Sequence, residues 1–417
     1  MASIARRNLL EDIPRFLVAQ AGIMFAVSLV TIQTGILNGF SRSTILLIEG
    51  SQADIWVASD KMVQFELTEP LIVDQLNQAK KVEGVAKAEG LIRGSGLWRP
   101  PEGEISPLTL IGFEPRGQLF KPGEVMEGKV SDLTKPYNIM VDRSRLSTLR
   151  INKLGDRAQI KSLPAQLVGV TSESQSLVAS PFIFSSLENV NAYVTSDFTS
   201  RLDCKLQSNN QVKCTTIYEK SAPNNQNPDA LPPTPQPLTS TDTITYILIK
   251  AKPGQDLEIL KQRLDTILLG TRAYTTAEMS QKTEDYWLKR TGIGFILSLG
   301  AIVGIIVGMV VVSQILYSSV SDHIKEFGTL KAMGAPDRMI YNVIIEQSLW
   351  MAILGYIPGM LICWGVSFWA ATEGVIILIT PLSAVGVLGI TLGMCVGSAF
   401  FAIQKVTRID PAIVFKA

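Results

Sequence analysis

TGIGFILSLGAIVGIIVGMVVVSQILY, Thr291–Tyr317, runs for 27 residues without a charged side chain. Crossing a hydrocarbon core of about 30 Å takes roughly 20 helical residues. A chain surrounded by lipid must satisfy its backbone within its own helix. The stretch therefore predicts a membrane-spanning helix, and three further stretches reach the same length. These are about Phe16–Leu37, Ser348–Ala371 and Pro381–Ile403, the last preceded by a short apolar run from Val375 to Thr380. The first is too long for a cleaved signal peptide and lacks a small-residue cleavage site. None of the four has a charge in its middle, which argues against an ion-coupled pump, since ion relays need such groups facing a cavity.

Away from these spans the chain is a different material. Of its 417 residues 18% are charged, below the roughly one quarter of a soluble domain. The shortfall is confined to the apolar segments, so the remainder reads as water-soluble. Lys and Arg number 38 against 37 Asp and Glu, a balance that offers no basic surface to nucleic acid.

Lys and Arg in the short flanks set the orientation. Arg6, Arg7 and Arg15 precede the first span, Lys325, Lys331 and Arg338 lie between the second and third, and Lys405, Arg408 and Lys416 follow the fourth. The link near Glu373 has none. All three basic flanks share one side only if both termini and the loop 318–347 are cytoplasmic. The expected order is a cytoplasmic amphipathic helix (1–15), a first span (16–37), a domain outside (38–290), a second span (291–317), the loop (318–347), spans at 348–371 and 381–403, and a cytoplasmic tail (404–417).

The outer segment carries strand patterns at Ser51–Val57, Leu91–Trp98, Leu108–Phe113, Ile139–Val141, Ala158–Ile160, Ala165–Val170 and Thr243–Ile249. Helical patterns cover Pro70–Lys81, Asp256–Leu269 and Thr276–Leu288. Strand, helix, strand at its start returns near its end, with Arg272–Thr275 as the last strand. Two α+β halves should therefore meet around a β-rich insertion of about 131–239. Six prolines in Ser221–Thr241 mark an exposed loop. Cys204 and Cys214 stand close in a polar stretch of this oxidising side, where exposed thiols tend to oxidise, so a disulfide between them is expected, with two free thiols as the alternative. Cys363 and Cys395 fall within spans, as small packing residues.

Chemistry is sparse. The single histidine, His323, falls on the cytoplasmic side, so the outer domain has no Ser-His-Asp triad and no histidine metal site. Asp54, Asp60 and Asp142 read as solvated or capping acids, and no metal site is expected. No G-x-x-x-x-G-K-[ST] phosphate loop occurs. The chain is therefore not expected to be an enzyme. Glycines recur at four-residue spacing: Gly300, Gly304 and Gly308; Gly355 and Gly359; Gly389, Gly393 and Gly397. Such faces let helix backbones approach closely, either inside one four-helix unit or across a homodimer seam.

Between the second and third spans stands SDHIKEFGTLKAMGAPDRMIYNVIIEQ, Ser321–Gln347. Gly334 suits a helix C-cap, and Pro336 with Asp337 suits the start of the next helix. Glu326, Phe327, Gly328, Leu330, Lys331, Ala332, Met333, Gly334 and Ala335 match the E-[FIL]-G-x-L-[KR]-A-[LIM]-G-A signature of FtsX-like ABC permeases, the family of MacB and the lipoprotein-releasing permeases. The ending Arg408, Asp410, Pro411, Ala412 and the basic opening Ala5–Arg15 also resemble that family. Gly39–Val57 looks similar to the permeases of heterocyst-type glycolipid exporters, the DevC kind.

The resemblance implies a four-helix bundle carrying a split, porter-like α+β domain with a β-rich insertion. It implies a homodimer in the inner membrane working with a separate ATPase, which binds the ATP and Mg, while this chain binds no cofactor itself. His323, Glu326, Phe327, Gly328, Leu330, Lys331, Met333 and Gly334 would then form the ATPase contact. The first and second spans, continued outward as a stalk by Leu37–Gly50 and Lys282–Lys289, would pass motion to the outer domain. Export of a lipid, lipid-linked or other hydrophobic substrate would use an adaptor protein and an outer-membrane channel. The alternative is a regulatory permease that activates a cell-wall hydrolase without transport.

Overall fold

The computed structural model describes residues 13–100, 104–177, 179–196, 198–206, 212–220, 233–333, 336–372 and 376–407. The basic opening up to residue 12, Gly334, Ala335, Glu373, the C-terminal Arg408–Ala412 motif and most of the proline-rich stretch lie outside them. The chain divides into a unit of Ser41–Trp287 and a unit formed by the segments on either side of it.

In chain order the helices are α1 (Ile13–Glu49), α2 (Val73–Ala79), α3 (Leu146–Leu149), α4 (Leu187–Thr195), α5 (Leu257–Ile267), α6 (Thr276–Thr291), α7 (Ile293–Asp322), α8 (Ile324–Ala332), α9 (Asp337–Thr372) and α10 (Pro381–Thr407). Four contain spans long and apolar enough to cross a membrane: Phe16–Glu49, Ile293–Asp322, Arg338–Ala371 and Pro381–Gln404.

The Ser41–Trp287 unit is built on one sheet. β1 (Ile55–Ser59), early in the chain, pairs antiparallel with β13 (Tyr246–Ala251) and β14 (Thr271–Thr275), setting Ile55 opposite both Ile249 and Thr275. The strands of the two expected halves thus interleave, in the order β14 (Thr271–Thr275), β1, β13, β3 (Val85–Arg99). The expected Leu91–Trp98 strand is the second half of a 15-residue strand, β3 (Val85–Arg99). Its first half pairs with β13; from Ile92 onward it pairs with β4 (Ser106–Phe113) and carries the sheet into the insertion. Beyond β4 come β9 (Phe182–Ser186), β6 (Asn138–Asp142), β8 (Leu163–Ser172) and β5 (Glu124–Gly128), with β7 (Arg157–Ile160) joining β3 and β8; β2 (Leu71–Ile72) and β12 (Thr243–Ile244) pair separately.

The first half of β3 escapes a periodicity reading because Lys87 and Glu89 interrupt the apolar run. Glu89 is nonetheless buried, and its carboxylate accepts from the backbone N–H groups of Gln118 and Leu119 at 2.8 and 2.9 Å. A buried charge needs such partners. β9 and α4 also go unread in the sequence, because FIFSSL is an unbroken apolar-polar block with no period to assign.

β1 is buried on both faces, and its alternation explains why. Ile55 and Val57 join one core with Leu76 of α2 and Leu260 and Leu264 of α5. Trp56 and Ala58 join another on the opposite face, with Leu47, Ile48, Phe65, Tyr246 and Met279. Trp56, Phe65 and Tyr246 form an aromatic group there with ring centroids 5.5–6.0 Å apart. Each such side chain, fully buried, stabilises by about 1.5–3 kcal/mol before entropy is counted.

The other unit gathers one apolar core from four helices: Ala19, Ile23 and Val27 of α1, Val312 and Leu316 of α7, Ile344 and Met351 of α9, and Met394, Cys395 and Ala399 of α10. α6 and α7 are not one continuous rod. Gly292 between them takes a left-handed backbone (φ 65°), and the Thr291 hydroxyl accepts from the Ile293 N–H at 3.3 Å. That conformation costs a residue with a Cβ but not glycine. The expected stalk segment Lys282–Lys289 is helical, as part of α6, with the break at Gly292 between it and α7; α1 is helical through Leu37 to Glu49.

Candidate functional site

The E-F-G-x-L-K-A-M segment folds as α8, a nine-residue helix between the long helices α7 and α9. His323 makes the corner, its φ of −94° and ψ of 19° ending α7 and starting α8. Its N–H closes the last turn of α7 on Ser319 O at 3.2 Å. Its ring Nδ1 lies 3.2 Å from Glu326 Oε1, one turn into α8. A carboxylate in the first turn also suits the helix dipole.

What holds α8 in place is apolar. Val320 precedes it, fully buried, and Ile324 packs against the same four-helix core as Ile340 and Ile344 from the start of α9. Gly328 is buried, while Glu326 is exposed and Met333, at the helix end, is 72% exposed. Lys331 is half-buried. Phe327 and Leu330 occupy α8 positions three residues apart, and Gly334 lies outside the described residues. The arrangement is a short helix whose start, like the start of the helix that follows it, packs into the four-helix core.

The glycine faces divide into two classes. Where a Cβ would stand within about 3.0 Å of another atom, a side chain fits only if that neighbour shifts. A Cβ at Gly304 would stand 2.7 Å from Leu29 Cδ2, one at Gly308 2.7 Å from the Ala26 Cβ, and one at Gly300 would overlap the Gln33 amide. On α9, Cβ atoms at Gly355 and Gly359 would meet Ile23 at 2.6 Å and Val27 at 3.0 Å. All five glycines therefore admit contact with α1, and Gly308 also admits Met394 of α10, whose Sδ would stand 2.5 Å from its Cβ. On α10, Gly389 and Gly393 meet nothing within 4 Å, and Gly397 has only Met309 Cε at 3.6 Å.

Sequence reasoning missed the complementary glycines on α1. Gly22 stands against Val311 of α7, while Gly35 and Gly39 admit the connector before α10. There the Leu378 N–H donates to Gly35 O at 2.9 Å, and Ser367 Oγ donates to Ile377 O at 2.9 Å. A G-x-x-x-G spacing at 35 and 39 was the available signal, but nothing in a sequence says that its partner is an extended segment rather than a helix.

Among the described residues, the Ser41–Trp287 unit carries two well-defined grooves. One, of about 520 Å³, runs between α5, the edge strand β14 and α6, and is lined by Lys261, Asp265, Tyr274, Glu278 and Lys282 among others. Here Asp265 Oδ1 and Glu278 Oε2 accept from the Ala273 and Thr275 N–H groups of β14, at 2.7 and 2.8 Å. These bonds occupy donors that an edge strand otherwise offers to another chain. The other, of about 540 Å³, lies between α2 and the start of α4, with apolar walls from Leu76, Leu187 and Leu238 and charges from Lys80, Glu114 and Arg116. Burial pushes the Glu114 carboxyl above its ordinary range, partly offset by Lys80.

Comparison with known proteins matches residues 16–267 to the MacB-like periplasmic core domain and residues 298–411 to the FtsX-like permease C-terminal region. A probable export ATP-binding/permease protein of Pseudomonas fluorescens (strain Pf0-1) is 22% identical over 422 residues, covering 95% of this chain and 57% of that protein. The macrolide export ATP-binding/permease protein MacB of Hyphomonas neptunium is 29% identical over 141 residues, 31% of this chain and 22% of that protein. The chain thus spans little more than half the length of the first and about a fifth of the second. The crystal structure of the periplasmic region of MacB from Actinobacillus actinomycetemcomitans aligns with 57% of this chain and 96% of its own, with a TM-score of 0.36 and 12% identity.

Proposed function

Because this chain belongs to the family that joins a MacB-like periplasmic core domain to an FtsX-like permease region, we propose that it is the membrane subunit of an ABC exporter. The observation that carries the reading is α8, a short helix with polar exposed residues held between two candidate membrane spans, at the family's signature segment. In this reading both termini and α8 are cytoplasmic and the Ser41–Trp287 unit is periplasmic. An ATPase subunit binds ATP and Mg and grips α8 through Phe327, Leu330 and Met333. Its closing moves α7 and α1, and with them the periplasmic unit.

Two copies of the chain work with two ATPase subunits. The cargo is a lipid, lipid-linked or other hydrophobic compound, handed to a periplasmic adaptor and an outer-membrane channel. The likeness of Gly39–Val57 to glycolipid-exporter permeases supports a cargo of that kind. In this reading ATP hydrolysis belongs to the ABC ATPase that grips α8.

Affinity purification of the full chain from native membranes tests the reading. Recovery of an ABC ATPase together with an adaptor is expected. Recovery of an ATPase with a cell-wall hydrolase or its activator would replace export by the regulatory role, and recovery of no ATPase would reject both.

A further inference from the structure

We infer that Cys204 and Cys214 form a disulfide that staples a two-stranded ribbon of the periplasmic unit. The inference rests on the periplasmic placement of that unit. β10 (Phe198–Leu206) and β11 (Val212–Lys220) pair antiparallel, and neither joins another strand among the described residues. Cys204 stands directly opposite Cys214. Directly opposed Cα atoms in an antiparallel pair lie about 4.5–5.5 Å apart, inside the range that a disulfide spans.

The ribbon also needs the bond. A two-stranded hairpin is marginal in water by itself, and the pair beside the cysteines sets Lys205 opposite Lys213, like charges that push the strands apart. Cross-linking the ends of the 11-residue segment Cys204–Cys214 favours the closed ribbon by about a hundredfold. The bond forms by exchange with an oxidised disulfide of an extracytoplasmic protein thiol oxidase. The Cys204 thiolate attacks one donor sulfur and releases the other as a thiolate. The Cys214 thiolate then attacks the mixed disulfide and releases the second. One S–S bond forms here and one breaks in the donor, which gains two electrons and the two thiol protons.

The test uses the full-length permease isolated from membranes with its thiols blocked on lysis. Denatured without reductant, it should show blocked adducts only at Cys363 and Cys395, with Cys204 and Cys214 becoming reactive after reduction. Adducts at all four before reduction would overturn the bond. In spheroplasts treated with reductant, a membrane-impermeant maleimide should reach Cys204; failure to do so would overturn the periplasmic placement and the bond with it. In the C204S/C214S double variant, amide exchange within 198–206 and 212–220 should quicken by up to about a hundredfold. Unchanged exchange would overturn the staple.

Discussion

At the scale of single residues, the glycines give the sharpest expectations. Gly304 and Gly393 both belong to four-residue ladders, yet Gly304 is closed off by Leu29 whereas Gly393 meets nothing within 4 Å. G304L should overpack the seam with α1 and cost about 1–3 kcal/mol, read as a lower melting temperature of the purified chain in detergent. G393L should leave that melting temperature within error. If G393L instead splits a dimer into monomers without loss of folding, the α10 face is the seam between copies. A second expectation concerns Lys261, whose amine is 2.7 Å from Glu278 and 3.1 Å from Glu258. Burial pulls its pKa down, but the two carboxylates outweigh that and leave it above 10.5. Burial pushes Glu278 up, but Lys261 and the Thr275 N–H outweigh that and leave it below 4.5. The lysine's contribution is complete below 10.5 and lost as pH rises through its folded value. That of the glutamate is complete above 4.5 and lost as pH falls through its folded value. K261M should therefore destabilise the periplasmic unit by about 1 kcal/mol across the middle pH range, and by less toward either extreme. Pulse proteolysis of the intact chain as a function of pH measures the difference; a gap of constant size would show that the lysine acts through packing alone.

At the scale of elements, α8 carries the functional proposal. The F327D/L330D double variant should insert normally and lose most of its bound ATPase, measured as stoichiometry after purification. Full stoichiometry with full transport would remove the coupling role. The elements also show what a sequence pattern can and cannot reveal. The four long helices were legible because lipid leaves a chain one response to a charge-free run of 20 residues or more. β10 and β11 were not, because LDCKL and VKCTT carry polar and apolar residues in equal measure, and their alternation acquires meaning only once the strands face each other. β3 was half legible: its core-facing apolar positions were read, while the Glu89 that interrupts them is reconciled with burial by two backbone donors some 30 residues away. For the candidate site, the loop signature located α8, but its anchoring by Ile324, Ile340 and Ile344 emerges from the packed bundle.

At the scale of the whole molecule, the proposed exporter is a dimer whose stalk regions change separation with nucleotide. Single cysteines placed at Asn38 or Lys282 in a background lacking the native cysteines should cross-link two copies. The yield should differ between nucleotide-free and ATP-trapped complexes. A monomeric permease in a functional complex would reject the dimer, while equal yields at several stalk positions would leave the dimer and remove the transmission of motion. Gly292 adds an expectation of its own. Its left-handed backbone disfavours a continuous α6–α7 rod, so G292A should strain that junction by about 1 kcal/mol and depress the nucleotide-dependent difference more than it depresses ATPase binding.

Length and polarity alone settled which parts of this chain are apolar helices and which form a water-soluble α+β unit, because the hydrophobic effect and the backbone's need for hydrogen bonds act on each segment wherever it lies. The identity of partners was decided elsewhere. Ile55 meets Ile249 and Thr275 about 200 residues on, Gly35 meets a connector rather than a helix, and Cys204 meets Cys214 in register. A period of 2 or 3.6 tells a residue which face it occupies; only close packing in three dimensions determines what stands across from that face.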